Sequence, residues 1–317
     1  MPAEADRSSH RVFCERNPDT PLFMKDWWLD AVCGENWGAV TSEQGGEAVA
    51  TLPYYLAKRA GFTVITMPKL TQSMGPWIKY PEGQKRTSRL AYEKGILTDL
   101  IEGLPPCAMY SQTFHYTIRN WLPFYWRGYK ETTRYTYVLH DLSNVDEVYS
   151  GIQKNTRSEI REAEKNGITV EPSDDLDELY RMFQLTLEKR DMAAPFTVDL
   201  LKRIDSEASR RGCRRVLLAK DTRGVTHAAA YLVWDEKTAH YILSGSDPAH
   251  RGSGATSLTL WRAIEHAAEV GGAFNFEGSM IESIEQYFRG FGGEPMPYFH
   301  VTKMNSTLLR LLRAIRG

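Results

Sequence analysis

One order of helices and strands occurs twice along this chain of 317 residues. In the second half, apolar residues at helical spacing alternate with short runs rich in Val, Tyr and Leu, and glycines separate the segments. The first half repeats this order in weaker form, with a strand after Gly45–Gly46 where the second half has one after Asp221–Gly224. Such a repeat predicts a duplicated α/β unit rather than one continuous domain.

The predicted elements follow from this periodicity. In the second half they are helices at Ser173–Arg190, Val198–Arg210, Ala255–Val270 and Ile284–Phe288, and strands at Cys213–Ala219, Val225–Trp234, Thr238–Ser244, Phe274–Phe276 and Met296–Lys303. In the first half they are helices at Pro21–Val32 and Arg86–Leu104, and strands at Glu47–Leu56, Phe62–Met67 and Cys107–Phe114. Helices are also predicted across Asn144–Gly167, between the halves, and across Ser306–Gly317.

Composition places the chain among ordinary globular proteins. Lys and Arg number 39 against 40 Asp and Glu, so the net charge of −1 provides no overall field for DNA or a membrane surface. The four cysteines stand far apart, without metal-ligand spacing, which predicts a reducing compartment and no metal site. No apolar run approaches the roughly 18 residues of a transmembrane segment, and the N-terminus lacks the apolar core of a signal peptide. We therefore expect a cytoplasmic protein.

Several segments resemble motifs of one enzyme family. Residues 157–168 (RSEIREAEKNGI) are similar to the RxxIRxAxKxG helix of the Fem-type aminoacyltransferases and their BioF2-like acyltransferase relatives in the GNAT superfamily. Residues 274–279 (FNFEGS) look like that family's closing strand, and residues 288–293 (FRGFGG) look like its FKxxFG segment. Segments at Pro53, Gly75–Pro76 and Asn120–Pro123 resemble its N-terminal domain, so the resemblance spans roughly residues 19–303.

The resemblance implies an α/β (α+β) fold with two tandem GNAT-like domains, each a mixed, mostly antiparallel sheet flanked by helices. It implies an N-terminal domain over residues 1–145, joined by the C-terminal helix 304–317, and a C-terminal acyltransferase domain over residues 146–303. The implied reaction is direct attack, by an amine of a small-molecule or cell-envelope-precursor acceptor, on an acyl group carried by a coenzyme A (CoA) thioester or an aminoacyl-tRNA. The alternative is a non-catalytic binding module derived from such a transferase, because the family's usual Lys is Arg289 here.

The loop before helix Ala255–Val270 is a candidate site for the donor's phosphates. Gly252 and Gly254 let backbone N–H groups turn toward an anion, and a helix N-terminus favours negative charge. Arg251 adds a positive charge, and Ser253 adds a hydroxyl group. By resemblance this is the Q/RxxGxG/A turn that holds acyl-CoA in GNAT enzymes, although its first residue is Ala249 here. An ordinary glycine-rich turn is the alternative.

Three residues are candidates for the chemical step. Glu277 follows a predicted strand, where a carboxylate can act as base on an ammonium acceptor or can only form an ion pair with Arg289 or another base. Arg289 cannot transfer protons because a guanidinium stays charged, but it can hold a phosphate or a developing oxyanion. Tyr241 can donate to an oxyanion or a leaving group, or serve as a satisfied strand residue.

Candidates for acceptor binding lie in several segments. Arg157 and Arg161 form, with Lys165, a basic stripe on one helix face. Such a stripe can contact phosphates or remain a solvated face paired with nearby glutamates. The other acceptor candidates carry hydroxyl or amide groups: Ser244, Ser279, Gln72 and Tyr298.

Overall fold

A computed structural model describes residues 4–278 and 280–310. The chain forms two compact units, whose boundaries fall between Arg134 and Tyr135 and between Met296 and Pro297. The second unit is therefore one continuous segment, and the first combines the segments on either side of it. Within the described part of the chain, no helix has both the length and the apolar character needed to cross a bilayer.

Helices and strands alternate through both units. The helices are α1 (Glu4–Arg16), α2 (Asp26–Cys33), α3 (Arg86–Glu102), α4 (Leu122–Trp126), α5 (Val145–Gly151), α6 (Lys154–Lys165), α7 (Leu176–Glu188), α8 (Val198–Arg210), α9 (Ala255–Val270) and α10 (Glu282–Arg289). The strands are β1 (Trp37–Gln44), β2 (Glu47–Arg59), β3 (Phe62–Thr66), β4 (Trp77–Ile78), β5 (Met109–Thr113), β6 (Lys130–Leu139), β7 (Thr169–Ser173), β8 (Arg214–Lys220), β9 (Thr226–Trp234), β10 (Thr238–Ser246), β11 (Ala273–Asn275) and β12 (Glu294–Met304).

In the first unit, strands pair in the order β1, β2, β3, β5 and β12. The β1–β2 and β2–β3 pairs are antiparallel, β3 and β5 run parallel, and β5 pairs antiparallel with β12. The short strand β4 pairs with β2. Helix α3 lies in the chain between the two parallel strands and packs over a buried cluster that includes Ile65, Tyr110 and Val301.

In the second unit, strands pair in the order β7, β8, β9, β10, β11 and β6. The pairs from β7 to β10 are antiparallel, β10 and β11 run parallel, and β11 pairs antiparallel with β6. Helix α9 connects the parallel strands and buries Leu258, Trp261 and Ile264 in a core shared with Phe274. The predicted α/β fold class, with a mixed, mostly antiparallel sheet in each half, is confirmed.

Two predicted helices are each interrupted. Asn144–Gly167 forms α5 and α6 rather than one helix, because Ile152 between them is extended (φ −65°, ψ 142°) and buried in the core. Pro21–Val32 forms a 3-10 turn at Leu22–Met24 followed by α2, with Lys25 extended at the junction. Apolar spacing continues across both breaks, so the pattern alone does not reveal them.

The ends of two further predicted helices also differ. The N-cap of α7 is Asp175, whose carboxylate accepts a hydrogen bond from the Glu178 N–H at 2.9 Å, so α7 begins at Leu176 and not at the predicted Ser173. Of the predicted helix Ser306–Gly317, residues 307–310 are helical and the remainder lies outside the described residues.

Candidate functional site

The parallel strands β10 and β11 of the second unit pair over only three residues. Their register ends with His240 opposite Asn275, whereas β10 continues along β9 as far as Ser246. The β9–β10 register also shifts between Tyr241 and Leu243, which marks a bulge. Among the described residues, no strand pairs with the β11-facing edge of β10 beyond His240. That stretch of backbone is available to a ligand, since unpaired peptide groups need hydrogen-bonding partners.

The glycine loop at the end of this open edge leads into α9. Gly254 has a left-handed backbone (φ 72°) and packs against α6, where any β-carbon would collide with the Glu159 carbonyl oxygen and lie 3.0 Å from the Ala163 β-carbon. Only glycine therefore fits at this position. The N–H groups in the first turn of α9, around Thr256 and Ser257, have no helical acceptors and face the same loop.

A pocket of about 650 Å³ lies at this turn and contains all four predicted donor-phosphate residues. Its lining combines the loop with α6, β9 and α10: Ser158, Glu159, Glu162, His227, Ser246, Asp247, His250, Arg251, Gly252, Ser253, Gly254, Ala255, Thr256, Ser257 and Tyr287. Arg251 is its one Lys or Arg, and three carboxylates also line it. Attraction for an anion therefore comes mainly from backbone N–H groups and the end of α9 rather than from side-chain charge.

A series of hydroxyl groups leads from this pocket toward the open edge of β10. The Ser257 hydroxyl donates to a Glu159 carboxylate oxygen at 2.7 Å and lies 3.5 Å from the Tyr287 hydroxyl. Burial, then the proximity of Tyr241, raises the pKa of Tyr287. Burial also raises the pKa of Tyr241 to about 12, although a hydrogen bond with Ser244 lowers it somewhat. Both phenols therefore stay protonated at neutral pH and can donate hydrogen bonds.

Tyr287 was not among the predicted site residues. A signal was present, because this tyrosine directly precedes the FRGFGG segment on which the resemblance rests. Of the residues near Tyr287, the sequence analysis predicted Tyr241 and Ser244 but not Tyr287 itself.

Glu277 lies in a tight turn just after β11. It has a left-handed backbone (φ 56°), which is uncommon for a residue with a side chain, and Gly278 continues the turn at φ 46°. The side-chain oxygen of Asn275 stabilises the turn by accepting from the Glu277 N–H at 2.9 Å and from the Thr136 hydroxyl at 2.6 Å. Strained backbone of this kind is concentrated at functional sites.

The turn directs the Glu277 carboxylate onto a buried histidine. Glu277 Oε1 contacts His240 Nδ1, and the two side chains are only 6% and 1% exposed. On the other side, Asp235 Oδ2 lies 3.5 Å from His240 Nε2, while Asp235 Oδ1 accepts from backbone N–H groups of the β9–β10 turn. Burial acts to lower the pKa of His240, but the hydrogen bonds with Asp235 and Glu277 outweigh it and raise the pKa to about 9.

At neutral pH, Asp235, His240 and Glu277 therefore form a carboxylate–imidazolium–carboxylate triad. The sequence prediction allowed an ion pair between Glu277 and Arg289 or another base, and the partner is His240. Arg289 instead pairs with Glu285 on its own helix at 3.0 Å, and Glu285 also accepts from the Tyr137 hydroxyl at 2.6 Å.

The predicted acceptor residues are dispersed. Arg157 donates to the Ser150 carbonyl at 2.7 Å, Arg161 donates to the Arg157 carbonyl at 3.3 Å, and neither lines the glycine-loop pocket. Gln72 and Tyr298 belong to the first unit, where the Gln72 carbonyl accepts from the Thr113 hydroxyl at 2.7 Å. Ser279 lies outside the described residues.

Comparison with known proteins shows which domain and which folds this chain resembles. Residues 150–278 match the family model described as an acetyltransferase (GNAT) domain. Over 98% of both chains, the structure is similar to FemX, with a TM-score of 0.69 and 14% identity. The C-terminal domain of a putative lysylphosphatidylglycerol synthetase from Agrobacterium fabrum matches with a TM-score of 0.55 and 13% identity, over 98% of this chain and 94% of that one. A tandem GNAT protein from the clavulanic acid biosynthesis pathway, solved without AcCoA, matches with a TM-score of 0.51 and 12% identity, over 85% and 83%.

These likenesses show a shared fold: that of the tandem GNAT acyltransferases. The expected resemblance to Fem-type proteins of the GNAT superfamily is confirmed at the level of the fold, and the second unit carries the segment that matches the GNAT domain together with the glycine-loop pocket and the triad. A search of curated protein sequences gives no match. Transfer of an acyl or aminoacyl group is the class of reaction that this fold supports.

Proposed function

We propose that this protein transfers the acyl group of an acyl-CoA thioester to an amine of a small-molecule or cell-envelope-precursor acceptor, in the cytoplasm. The observation that carries the proposal is the open edge of β10, which runs from the triad to a glycine turn at the start of α9. The relatives named FemX and lysylphosphatidylglycerol synthetase favour an envelope-type acceptor, and the tandem GNAT relative, whose title mentions AcCoA, favours the CoA donor.

The donor would lie along this open edge. Its pyrophosphate accepts hydrogen bonds from the N–H groups of Gly252 to Ser257, assisted by Arg251. Its pantetheine arm extends beside β10, where Tyr241 to Ser246 span roughly 17 Å at about 3.3 Å per residue. The thioester then reaches the bulge at Tyr241, near the end of β11.

The triad and the buried Tyr241 phenol provide the groups that act in the chemical step. As the acceptor nitrogen bonds to the thioester carbonyl carbon, Glu277 takes the nitrogen's proton, and His240, charged and buried, keeps the Glu277 carboxylate oriented. Unpaired N–H groups of β10 stabilise the oxyanion. When the carbon–sulfur bond breaks, the proton that Glu277 took from the nitrogen passes to the leaving thiolate, to which Tyr241, at the bulge, donates a hydrogen bond. No covalent enzyme intermediate is required.

Other predicted residues keep lesser roles in this proposal. Arg289 would act through Glu285 or on a developing charge. Arg157, Arg161, Ser244, Gln72 and Tyr298 stay predictions for the acceptor site.

The rival donor is aminoacyl-tRNA. Three carboxylates line the glycine-loop pocket, and they oppose a polyanion that approaches through side-chain contacts. A tRNA substrate would therefore need a separate basic surface, whereas the pyrophosphate of CoA can use the backbone N–H groups alone.

Calorimetric titration with acetyl-CoA tests the donor. We expect saturable binding to the unmodified protein, at least about tenfold weaker in Ser253→Glu, because that carboxylate would stand where the pyrophosphate binds. Ser209→Glu, on the exposed face of α8 in the same unit, is the matched control and should bind normally.

Absence of acetyl-CoA binding would overturn the CoA proposal, and transfer from charged tRNA would then establish the rival. Tight acetyl-CoA binding without turnover across a panel of amines would instead identify a non-catalytic binding module.

A further inference from the structure

The first unit has a concave site of its own. A pocket of about 570 Å³ lies on its sheet and is lined by residues of β2, β3, β5, β12 and the start of β6. The side chains of Ser111 and Thr302, which are cross-strand neighbours, form its floor together with His300. Every lining residue belongs to the first unit, so the site is independent of the glycine-loop pocket.

Its charge is entirely positive. Arg59, Lys130, Lys303 and Arg310 line it, and no carboxylate does so among the described residues. Across the same described part of the chain, none of these four cations forms an ion pair. The contrast with the glycine-loop pocket is sharp, since three carboxylates line that one.

Neutral contacts hold three of these cations in place. An Arg59 N–H donates to the Thr66 hydroxyl at 3.4 Å, and an Arg310 N–H donates to the Met304 carbonyl at 3.1 Å. The Lys303 ammonium lies 4.8 Å from the centre of the Tyr129 ring. None of these contacts neutralises charge, and Lys303 extends to the Tyr129 face of the sheet, so Arg59, Lys130 and Arg310 carry the uncompensated positive charge of the pocket.

The floor adds hydrogen-bonding groups without charge. His300 Nδ1 is buried without a hydrogen-bonding partner, and Nε2 lies 3.5 Å from the Ser111 hydroxyl. Burial, then the nearby Arg134, lowers the pKa of His300, which keeps the imidazole neutral. A buried imidazole nitrogen without a partner is costly unless a ligand supplies one.

We propose that this pocket binds a small phosphorylated ligand of the diphosphate class. Two guanidinium groups and the Lys130 ammonium exceed what one carboxylate can neutralise, but they match two linked phosphates, whose oxygens accept bidentate and single hydrogen bonds. The concave shape favours a compact anion over an extended polynucleotide, which would need a groove or stripe along its backbone.

Calorimetric titration with inorganic pyrophosphate tests this site, at an ionic strength of about 0.15 M, where the Debye length is roughly 8 Å. We expect saturable binding, tighter than for orthophosphate, and a loss of at least about tenfold in affinity in the Arg59→Ala/Arg310→Ala double variant. Lys130→Glu provides an independent variant with the same expected loss.

Lys58→Ala is the matched control. Lys58 precedes Arg59 on β2, but its ammonium donates to the Thr63 hydroxyl at 2.7 Å and does not line the pocket. Its affinity for pyrophosphate should be unchanged. Three results would overturn the proposal: no saturable binding of pyrophosphate, equal affinity in the pocket variants, or binding of a long polyribonucleotide without binding of pyrophosphate.

Discussion

In both units, antiparallel pairs are followed by one parallel pair and then by an antiparallel pair, although the second unit has one more antiparallel pair; the units differ beyond their parallel pair. In the second unit, β10 and β11 stop pairing at His240 and Asn275, and the described chain puts no strand between them. In the first unit, Met74 occupies the equivalent position beside Phe114: its N–H donates to the Thr113 carbonyl at 2.7 Å, and its carbonyl accepts from the His115 N–H at 3.0 Å.

The first unit thus fills its gap with its own backbone. Gly75 follows Met74 with φ 92°, and a side chain there would lie 2.5 Å from the Phe114 ring. A gap closed by main-chain hydrogen bonds cannot admit a pantetheine arm. One unit of a duplicated fold can therefore keep the donor site while the other unit keeps only the fold. Substitutions in each unit test this difference.

The largest effect is expected from Glu277→Gln. If Glu277 is the base of the open unit, kcat should fall by roughly 10²–10⁴-fold, which is the usual contribution of general-base catalysis, while acetyl-CoA affinity is unchanged. Single-turnover transfer and calorimetry measure the two quantities. Glu188→Gln, an exposed carboxylate on α7, should behave like the unmodified protein, and full activity in Glu277→Gln would remove the triad from the mechanism.

The pH dependence of stability tests whether His240 is charged. The pKa of His240 is raised from 6.5 to about 9 in the folded protein, so its ion pairs stabilise fully below pH 6.5 and are lost as pH rises through 9. The free energy of unfolding should therefore fall by up to about 3 kcal/mol over that range, relative to His240→Gln. If denaturant titrations showed that the free energy of unfolding changes equally with pH in the two proteins, His240 would be neutral instead.

Glycine-to-alanine substitutions in the two units should have similar effects on stability but different effects on acetyl-CoA binding. Gly254→Ala collides with the Glu159 carbonyl and should cost about 1–3 kcal/mol and weaken acetyl-CoA binding. Gly75→Ala in the first unit should cost a similar amount but leave acetyl-CoA affinity intact. Gly151→Ala is the control, because a β-carbon there meets nothing within 4 Å and Gly151 does not line the pocket. Thermal unfolding and calorimetry give both readouts, and loss of donor affinity in Gly75→Ala would contradict this difference.

The smallest effect is expected at the rim of the glycine-loop pocket. Glu162→Gln removes a carboxylate from the lining, so the affinity for acetyl-CoA should rise by about two- to fivefold, and less in high salt. Glu171→Gln on β7 removes an equal charge away from the pocket and should change nothing. An unchanged or weaker affinity in Glu162→Gln would place the pyrophosphate elsewhere.

Local patterns predicted much of this site. The turn at Gly252 and Gly254 was identified from its spacing before a helix, and the pocket does form there. His240 and Asp235 were missed, because His240 meets Glu277 only through the parallel pairing of β10 and β11, with all of α9 between them in the chain. The available signal in the sequence was a histidine within an apolar strand, since buried polar groups need partners.

The basic stripe of α6 shows the same limit. Arg157, Arg161 and Lys165 do share a face, as their spacing requires. The burial of Thr156, Ile160 and Ala163 orients the helix, however, so that Glu159 and Glu162 line the pocket instead.

The sequence by itself determined most of the helices and strands and where the glycine turn stands, because those features depend on residues two to four positions apart. It did not reveal the breaks at Lys25 and Ile152 or the strands β1, β6 and β7. Only the tertiary structure decided which copy of the fold kept its gap open and which charges meet. Those outcomes depend on pairing between strands distant in the chain, and on whether a connecting segment such as the one at Met74 inserts between them.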